Sequence, residues 1–256
     1  MLKLSVVIIT LNEEKNIERC LQSVKDIADE IIVVDSYSDD RTEEICSEFG
    51  VKFIQQKFKG YVDQKNDGNA LASHDYILSL DADEALSEEL AASISQVKEN
   101  WQFDAYAMNR LTSYCGKWIR HSGWYPDRKS RLFDRRKARW TGHLVHERVE
   151  VEGSAKTGVL KGDILHYSFY SIDEHINQSA YFADLSAQEM FEKGKNAGVF
   201  KLIINPCARF FRHYLLYGGF LDGYYGYVIS KISARSTYWK YAKLRKMNRG
   251  KTRQKK

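Results

Sequence analysis

Proline is nearly absent: the 256-residue chain holds two, Pro126 and Pro206. No Pro-rich linker marks a domain boundary, and long uninterrupted elements are permitted almost throughout. Cysteine is scarce and scattered, with Cys20, Cys46, Cys115 and Cys207 sharing no metal-type spacing. That pattern argues against a disulfide framework and suits a reduced, cytosolic chain. No run of about 20 apolar residues exists, so no membrane-spanning helix is expected. Met1-Leu-Lys-Leu4 leads directly into a strand, and no signal peptide is expected ahead of it. Acidic residues vanish at the far end: residues 223–256 contain 11 Lys or Arg and no Asp or Glu. The other 28 basic residues face 34 acidic ones, so a body of net charge −6 carries a basic arm that accounts for the overall +5.

What is present is globular: 43% hydrophobic and 29% charged, with enough length for one large α/β domain or a domain with an appendage. Residues 4–10 (LSVVIIT) and 30–35 (EIIVVD) are the continuous apolar runs of strands buried on both faces, and residues 51–54 make a third strand. Between them, Asn12 is placed to cap a helix striped by Ile17, Leu21 and Val24, and Asp40 and Glu43 have capping-box spacing. Residues 63–72 read as a helix, 76–80 as a strand, and Ser87-Glu-Glu-Leu90 as the start of a helix to about residue 99. Four β-α alternations in 100 residues predict an open parallel sheet with right-handed crossovers. After Trp101 the pattern shifts to period two over 104–114, 130–140, 145–151 and 159–167. Helices follow over 172–193 and, rich in Tyr, Phe and Arg, over about 199–247.

The feature with most chemical content is Asp81-Ala82-Asp83, at the end of the strand Tyr76-Ile-Leu-Ser-Leu80. Two carboxylates one residue apart, at the carboxyl end of a central strand, form a hard-oxygen site for a divalent cation holding a diphosphate. The competing reading, helix capping, is already served by Ser87, Glu88 and Glu89. Asp35 ends the second strand at the edge of the same expected crevice, where it either meets a ligand or forms a turn.

These motifs resemble the family 2 glycosyltransferases with the GT-A fold. The match lies in Ser5-Val-Val-Ile-Ile-Thr-Leu-Asn-Glu-Glu14, Ile31-Ile-Val-Val-Asp-Ser-Tyr-Ser-Asp-Asp-Arg-Thr42, Gln64-Lys-Asn-Asp-Gly-Asn69 and Leu78-Ser-Leu-Asp-Ala-Asp-Glu84, across about the first 110 residues. Trp140-Thr-Gly-His-Leu-Val-His-Glu147 and Ile164-Leu-His-Tyr-Ser168 look like the narrower group of lipopolysaccharide core β-glucosyltransferases. The resemblance implies a Rossmann-like, mostly parallel nucleotide-binding sheet with a mixed acceptor-side subregion and C-terminal helices. The expected division is a catalytic domain over 1–170, split into a nucleotide-sugar half (1–100) and an acceptor half (101–170), then a helical region with a basic tail over 171–256.

The implied activity is inverting, metal-dependent transfer of a hexose, glucose from UDP-glucose first among them, onto a lipopolysaccharide core or other bacterial glycan. Mg²⁺ or Mn²⁺ is the implied cofactor, with Asp83 and His166 as its protein ligands. Thr10, Asn12, Glu13, Asp35, Lys65, Asn69, Asp81 and Ala82 fall to the nucleotide-sugar. Asn12 and Glu13 serve equally well as helix-start residues, and Lys65 with Asn69 serves equally well as a solvated helix face. Glu147 beside His146 is the candidate base, against an ordinary surface ion pair for Glu147 and a core histidine for His146 or His166. Trp124, Arg128 and Arg131 suggest an acceptor platform, against core packing of Trp124.

The aromatic and basic end of the chain suits a peripheral position on the cytoplasmic face of the inner membrane, where a glycolipid acceptor is displayed, against a packed helix with a free tail. Nothing resembling a nucleic-acid recognition motif accompanies the charge, so no nucleic-acid partner is expected. Two other functions remain: nucleotidyl transfer on the same fold, disfavoured because Thr10-Leu-Asn-Glu-Glu14 lacks Gly and is acidic, and a non-catalytic basic adaptor, which leaves the acidic motifs unexplained.

Overall fold

The computed structural model describes residues 2–142, 147–153 and 156–254. It divides into two compact units, one of residues 1–111 and 126–167, the other of 112–125 and 168–256. The segment 112–125 lies in the unit that holds the C-terminal helices.

The first unit opens with β1 (Leu4–Thr10), α1 (Ile17–Val24), β2 (Glu30–Asp35), α2 (Thr42–Glu48), β3 (Lys52–Gln55), α3 (Tyr61–Ala70) and β4 (Tyr76–Asp81). The short β5 (Glu84–Leu86) and α4 (Glu88–Glu99) follow, and then β6 (Ala105–Tyr114), whose last three residues lie in the second unit. In that second unit β7 (Lys117–Ile119) turns back on the end of β6. The first unit resumes with β8 (Asp127–Asp134), β9 (Ala138–Thr141) and β10 (Arg148–Val151), and β11 (Thr157–Phe169) again ends in the second unit.

Strand order is β3-β2-β1-β4-β8-β6-β11-β5, with β9 and β10 forming a separate ribbon. β3, β2, β1 and β4 run parallel, while β4–β8, β8–β6 and β11–β5 are antiparallel. A parallel nucleotide-binding half and a mixed remainder are what the GT-A resemblance implies.

All seven residues of β1 are buried, as its unbroken apolar run requires. Leu4, Val6 and Ile8 join a core with Ile17, Leu21 and Leu90, so α1 and α4 cover one face. Val7 joins Ile32, Val34 and Trp140 on the other. There α3 presses close: a Cβ on Gly68 would stand 2.7 Å from Val7 Cγ1 and 3.0 Å from Val34 Cγ2, so only glycine lets that helix seat. α4 is capped as expected, Ser87 Oγ accepting the Leu90 N–H. α1 is not capped by Asn12: it starts at Ile17, and residues 13–16 form a turn in which Glu13 O accepts the Asn16 and Ile17 N–H groups.

The second unit adds α5 (Ile172–Glu192), α6 (Val199–Phe211) and α7 (Gly223–Gln254). Ser171 and Glu174 form a capping box at the start of α5. The expected single helical stretch after residue 199 is broken by a π-turn (Arg212–Leu216) and a 3₁₀ turn (Gly219–Asp222), where Gly218 and Gly223 take positive φ. Tyr114, Phe169, Ile229 and Ile232 form the core of this unit, with Trp124 packed on it. Among the described residues no helix is long and apolar enough to cross a membrane.

Candidate active site

Parallel strands leave their ligand crevice at their carboxyl ends, and the loops after β1 and β2 form its rim. Those loops are tied to each other by side chains on backbone. Asn12 N–H donates to Ser38 Oγ (2.8 Å), Asp39 N–H to Asn12 Oδ1 (2.9 Å), Glu13 N–H to Thr42 Oγ1 (2.9 Å) and Glu14 N–H to Asp40 Oδ2 (3.0 Å). Asn12 and Tyr37 take left-handed backbone conformations to make these turns. Asp35 is buried at the end of β2, and its carboxylate accepts both the N–H and the hydroxyl of Ser38. Asn12 and Asp35 thus shape the rim through bonds of their own. Thr10, at the end of β1, keeps a buried hydroxyl oxygen with no protein partner.

Behind the rim lies a network of alternating charge. Register places Asp81 opposite Ile9, at the end of β4. Its carboxylate meets Lys65 Nζ at 2.9 Å and Arg131 Nη2 at 2.9 Å. Burial raises the Asp81 carboxyl, but Lys65 and Arg131 outweigh that and hold it well below the usual carboxylate range. Arg131 also donates to Glu84 Oε1 at 2.8 Å, and Glu84 Oε2 accepts the Asp81 N–H at 3.0 Å. Arg110 stands 3.6 Å from Glu84 and is bonded to Asp127. Trp140 forms one wall: the Lys65 ammonium lies 4.2 Å from its ring centroid and the Arg131 guanidinium 5.1 Å, while its indole N–H donates to Ser79 Oγ.

Asp83 follows in the link to β5. β5 pairs antiparallel with β11, His166 opposite Glu84, and Asp83 O accepts the Tyr167 N–H. That register carries a histidine 83 residues away in sequence to the second aspartate of the pair, His166 Nε2 lying 3.1 Å from Asp83 Oδ2. Two donor atoms at this spacing suit neighbouring positions of an octahedron with bonds of about 2.1 Å. Carboxylate oxygen and imidazole nitrogen are apt ligands for Mn²⁺ or Mg²⁺. Among the described residues no cluster of three or more His, Cys, Asp or Glu side chains could hold a metal. A cation here would complete its shell with diphosphate oxygens and water, the usual mode for such ions.

The site is short of positive charge on this side. Glu13 is pushed up from 4.5 to about 7, by burial first and by the nearby carboxylates of Asp83, Asp40 and Asp81, against a hydrogen bond from Asn16. The residues present therefore fit the group.

Several expectations need correction. Lys65 and Asn69 share a face of α3, but that face is buried rather than solvated, and Lys65 is 1% exposed. Its ammonium is held by Asp81 in the interior. Ala82 is a core residue, and its N–H donates to Ile9 O. Arg131, placed with the acceptor, is buried against Asp81 and Glu84. Trp124 packs with Tyr114, Phe169 and His175 in the second unit's core, and Arg128 is exposed on β8. These three form no platform within either unit.

Glu147 does reach the network, its Oε1 lying 4.0 Å from Lys65 Nζ and its Oε2 buried without a hydrogen-bond partner. Of the two partners in the competing reading, a surface ion pair with Arg148 or Lys161, Arg148 pairs with Glu150 instead. His146 lies outside the described residues. Sequence reasoning missed Arg110, Trp140 as a wall, and the structural role of Glu84. One signal was available, the polar Ser79 inside the apolar run of β4, which marks the indole N–H it accepts.

The model of glycosyl transferase family 2 matches residues 5–156. An uncharacterized glycosyltransferase of Rickettsia typhi is 32% identical over 97% of this chain and 88% of its own length. The lipopolysaccharide core biosynthesis glycosyltransferase LpsC of Rhizobium meliloti is 28% identical over 94% of each. Among solved structures, S. aureus TarS is 16% identical over 72% of this chain and 40% of that one, with a TM-score of 0.48. A family model that spans more than half of the chain, and a relative almost one-third identical along nearly all of it, make this protein a member of glycosyl transferase family 2.

Proposed function

We propose that the protein is an inverting, metal-dependent hexosyltransferase that moves glucose from UDP-glucose onto a lipopolysaccharide core or similar bacterial glycan. The observation that carries this reading is the Asp83–His166 pair, 3.1 Å apart at the mouth of the parallel strands. The family and the likeness to LpsC support the reaction class and direct attention to an envelope glycan.

Asp83 and His166 would hold a Mg²⁺ or Mn²⁺ ion, and such an ion would supply Lewis-acid stabilisation of diphosphate charge. Asp81, kept ionised by Lys65 and Arg131, is an acceptor for donor hydroxyls. Thr10, with its unpartnered hydroxyl, and Glu13 line the nucleotide side of the crevice. Glu147 takes the proton of the acceptor hydroxyl as that oxygen attacks the anomeric carbon opposite the diphosphate, which inverts the configuration there. A peripheral position on the cytoplasmic membrane face brings the enzyme to a lipid-linked acceptor.

The test is calorimetry of UDP binding with and without Mn²⁺, followed by UDP release from UDP-glucose. Binding should require the cation and vanish in Asp83→Ala. Binding that ignores Mn²⁺, or survives Asp83→Ala undiminished, would refute the metal assignment.

A further inference from the structure

The second unit exposes what a water-facing surface normally covers. Ten of the 13 residues of α6 are apolar, yet none of the 13 is buried. Phe200 is 80% exposed and Ile203 62%, and in the π-turn that continues the helix Leu216 is 79% exposed. Ile204, Phe211 and Leu221 are also more than half exposed. Single exposed apolar residues are ordinary; so many on one short helix and the turns beyond it mark an interaction surface.

The charge along this face is mostly positive, although Glu189 and Asp184 of α5 pair with Lys193 and Lys243. Residues 193–221 hold five Lys or Arg and no acid, and residues 223–256 hold 11 and none. Asp222, the single carboxylate between, is buried and accepts the N–H groups of Arg120 and His121 and faces the His121 ring. At the start of α6 an open groove of about 1150 Å³ is lined by Asn196, Gly198, Arg245, Lys246 and Arg249. Three cationic side chains there stand beside the positive end of a helix whose first turn has neither a side-chain cap nor an acid.

We propose that this face docks on a membrane surface bearing anionic lipids, with α6 and the turns after it lying in the interface and the groove seating a headgroup phosphate. At 13 residues α6 is about 20 Å long, too short to cross a hydrocarbon core of about 30 Å but long enough to rest along its edge. A second copy of the chain is the poorer occupant, because it would bring the same net positive charge to the contact. An anionic bilayer supplies apolar depth and the missing negative charge together. The inference sharpens the membrane placement proposed above by assigning it to α6 and the groove as well as the basic tail. It uses no residue of the transfer site.

The experiment is co-sedimentation of the full chain with vesicles of phosphatidylcholine alone or mixed with phosphatidylglycerol. The variants are Phe200→Glu with Ile203→Glu, and Arg245→Ala with Lys246→Ala and Arg249→Ala. Wild type should bind the mixed vesicles and not the neutral ones. The first variant should lose at least tenfold in partitioning, and the second roughly fivefold per side chain removed. Melting curves without vesicles verify that each variant is folded.

Wild type that stays in the supernatant, or a glutamate variant that sediments like wild type, overturns the proposal. So does a wild-type dimer, without vesicles, that the glutamate variant splits into monomers. Retained binding in the alanine variant overturns the groove as the headgroup seat. UDP binding, measured in parallel, keeps the two readings separate: its loss in a chain that still binds vesicles would count against the transferase reading alone.

Discussion

Replacing Arg131 with Met tests whether the charge network behind the rim holds the first unit together. The guanidinium is 3% exposed and bridges Asp81 at 2.9 Å and Glu84 at 2.8 Å. Methionine fills comparable space but strands Glu84, which is almost completely buried, leaving it the Asp81 N–H and, at 3.6 Å, Arg110. Asp81 keeps Lys65 and loses its second cation. Removing one partner of a buried ion pair costs about 3–5 kcal/mol, because the remaining charge is left without compensation. At about 2–4 °C per kcal/mol for a unit of this size, melting should fall by roughly 6–20 °C.

The pH dependence has a definite sign. The wild-type Asp81 carboxyl is held below its usual 3.8, so its stabilisation is full above that pH and is lost as pH falls further. The gap between Arg131→Met and wild type should therefore be widest near neutrality and narrow under acid. Adding Glu84→Gln should recover part of the loss, since it neutralises the stranded charge. Thermal melting monitored by circular dichroism from pH 7 to pH 3 checks all three statements. A variant that melts within about 1 °C of wild type, or a gap that is flat across pH, would refute the reasoning.

Three further outcomes are expected. Glu147→Gln should bind UDP with Mn²⁺ as wild type does while turnover drops by about 10²–10⁴, and an active variant would end the base assignment. Gly68→Ala forces a Cβ to 2.7 Å from Val7 and should destabilise the first unit by about 1–3 kcal/mol in urea denaturation; a neutral result would mean that α3 does not sit as described. His175 is lowered from 6.5 to about 4 by burial, with Tyr114 Oη 3.0 Å from its Nδ1. Its stabilisation is complete above 6.5 and is lost as pH falls toward 4, on the order of 3 kcal/mol. His175→Gln should flatten that part of the stability profile, and an unchanged profile would place the titration elsewhere.

The central strands were legible because strands buried on both faces are written as continuous apolar runs. β1 and β2 begin and end where residues 4–10 and 30–35 suggested. The position of the Asp pair was legible too, as a polar break at the end of such a run. α3 was harder to interpret. Its buried positions are Gln64, Lys65, Gly68 and Asn69, so apolar periodicity carries no sign of which face turns inward. The seat of Arg131 was lost likewise, because a charged side chain on a half-polar strand reads as a surface contact until its partners are placed. β5 has only three residues and no local signal, yet its long-range pairing with β11 decides where His166 goes. Nor could composition assign residues 112–125 to the C-terminal unit, a matter of packing around Tyr114 and Ile119.

The laced rim has an entropic consequence. Asn12, Ser38, Asp40 and Thr42 satisfy each other's loops from opposite sides of the opening, so both walls are already rigid when an incoming molecule arrives. Little chain freedom is left to surrender on association, and affinity depends on the contacts themselves rather than on folding the loops around them. Loosening one stitch, at Ser38 for example, would weaken capture of a molecule that the altered side chain never touches.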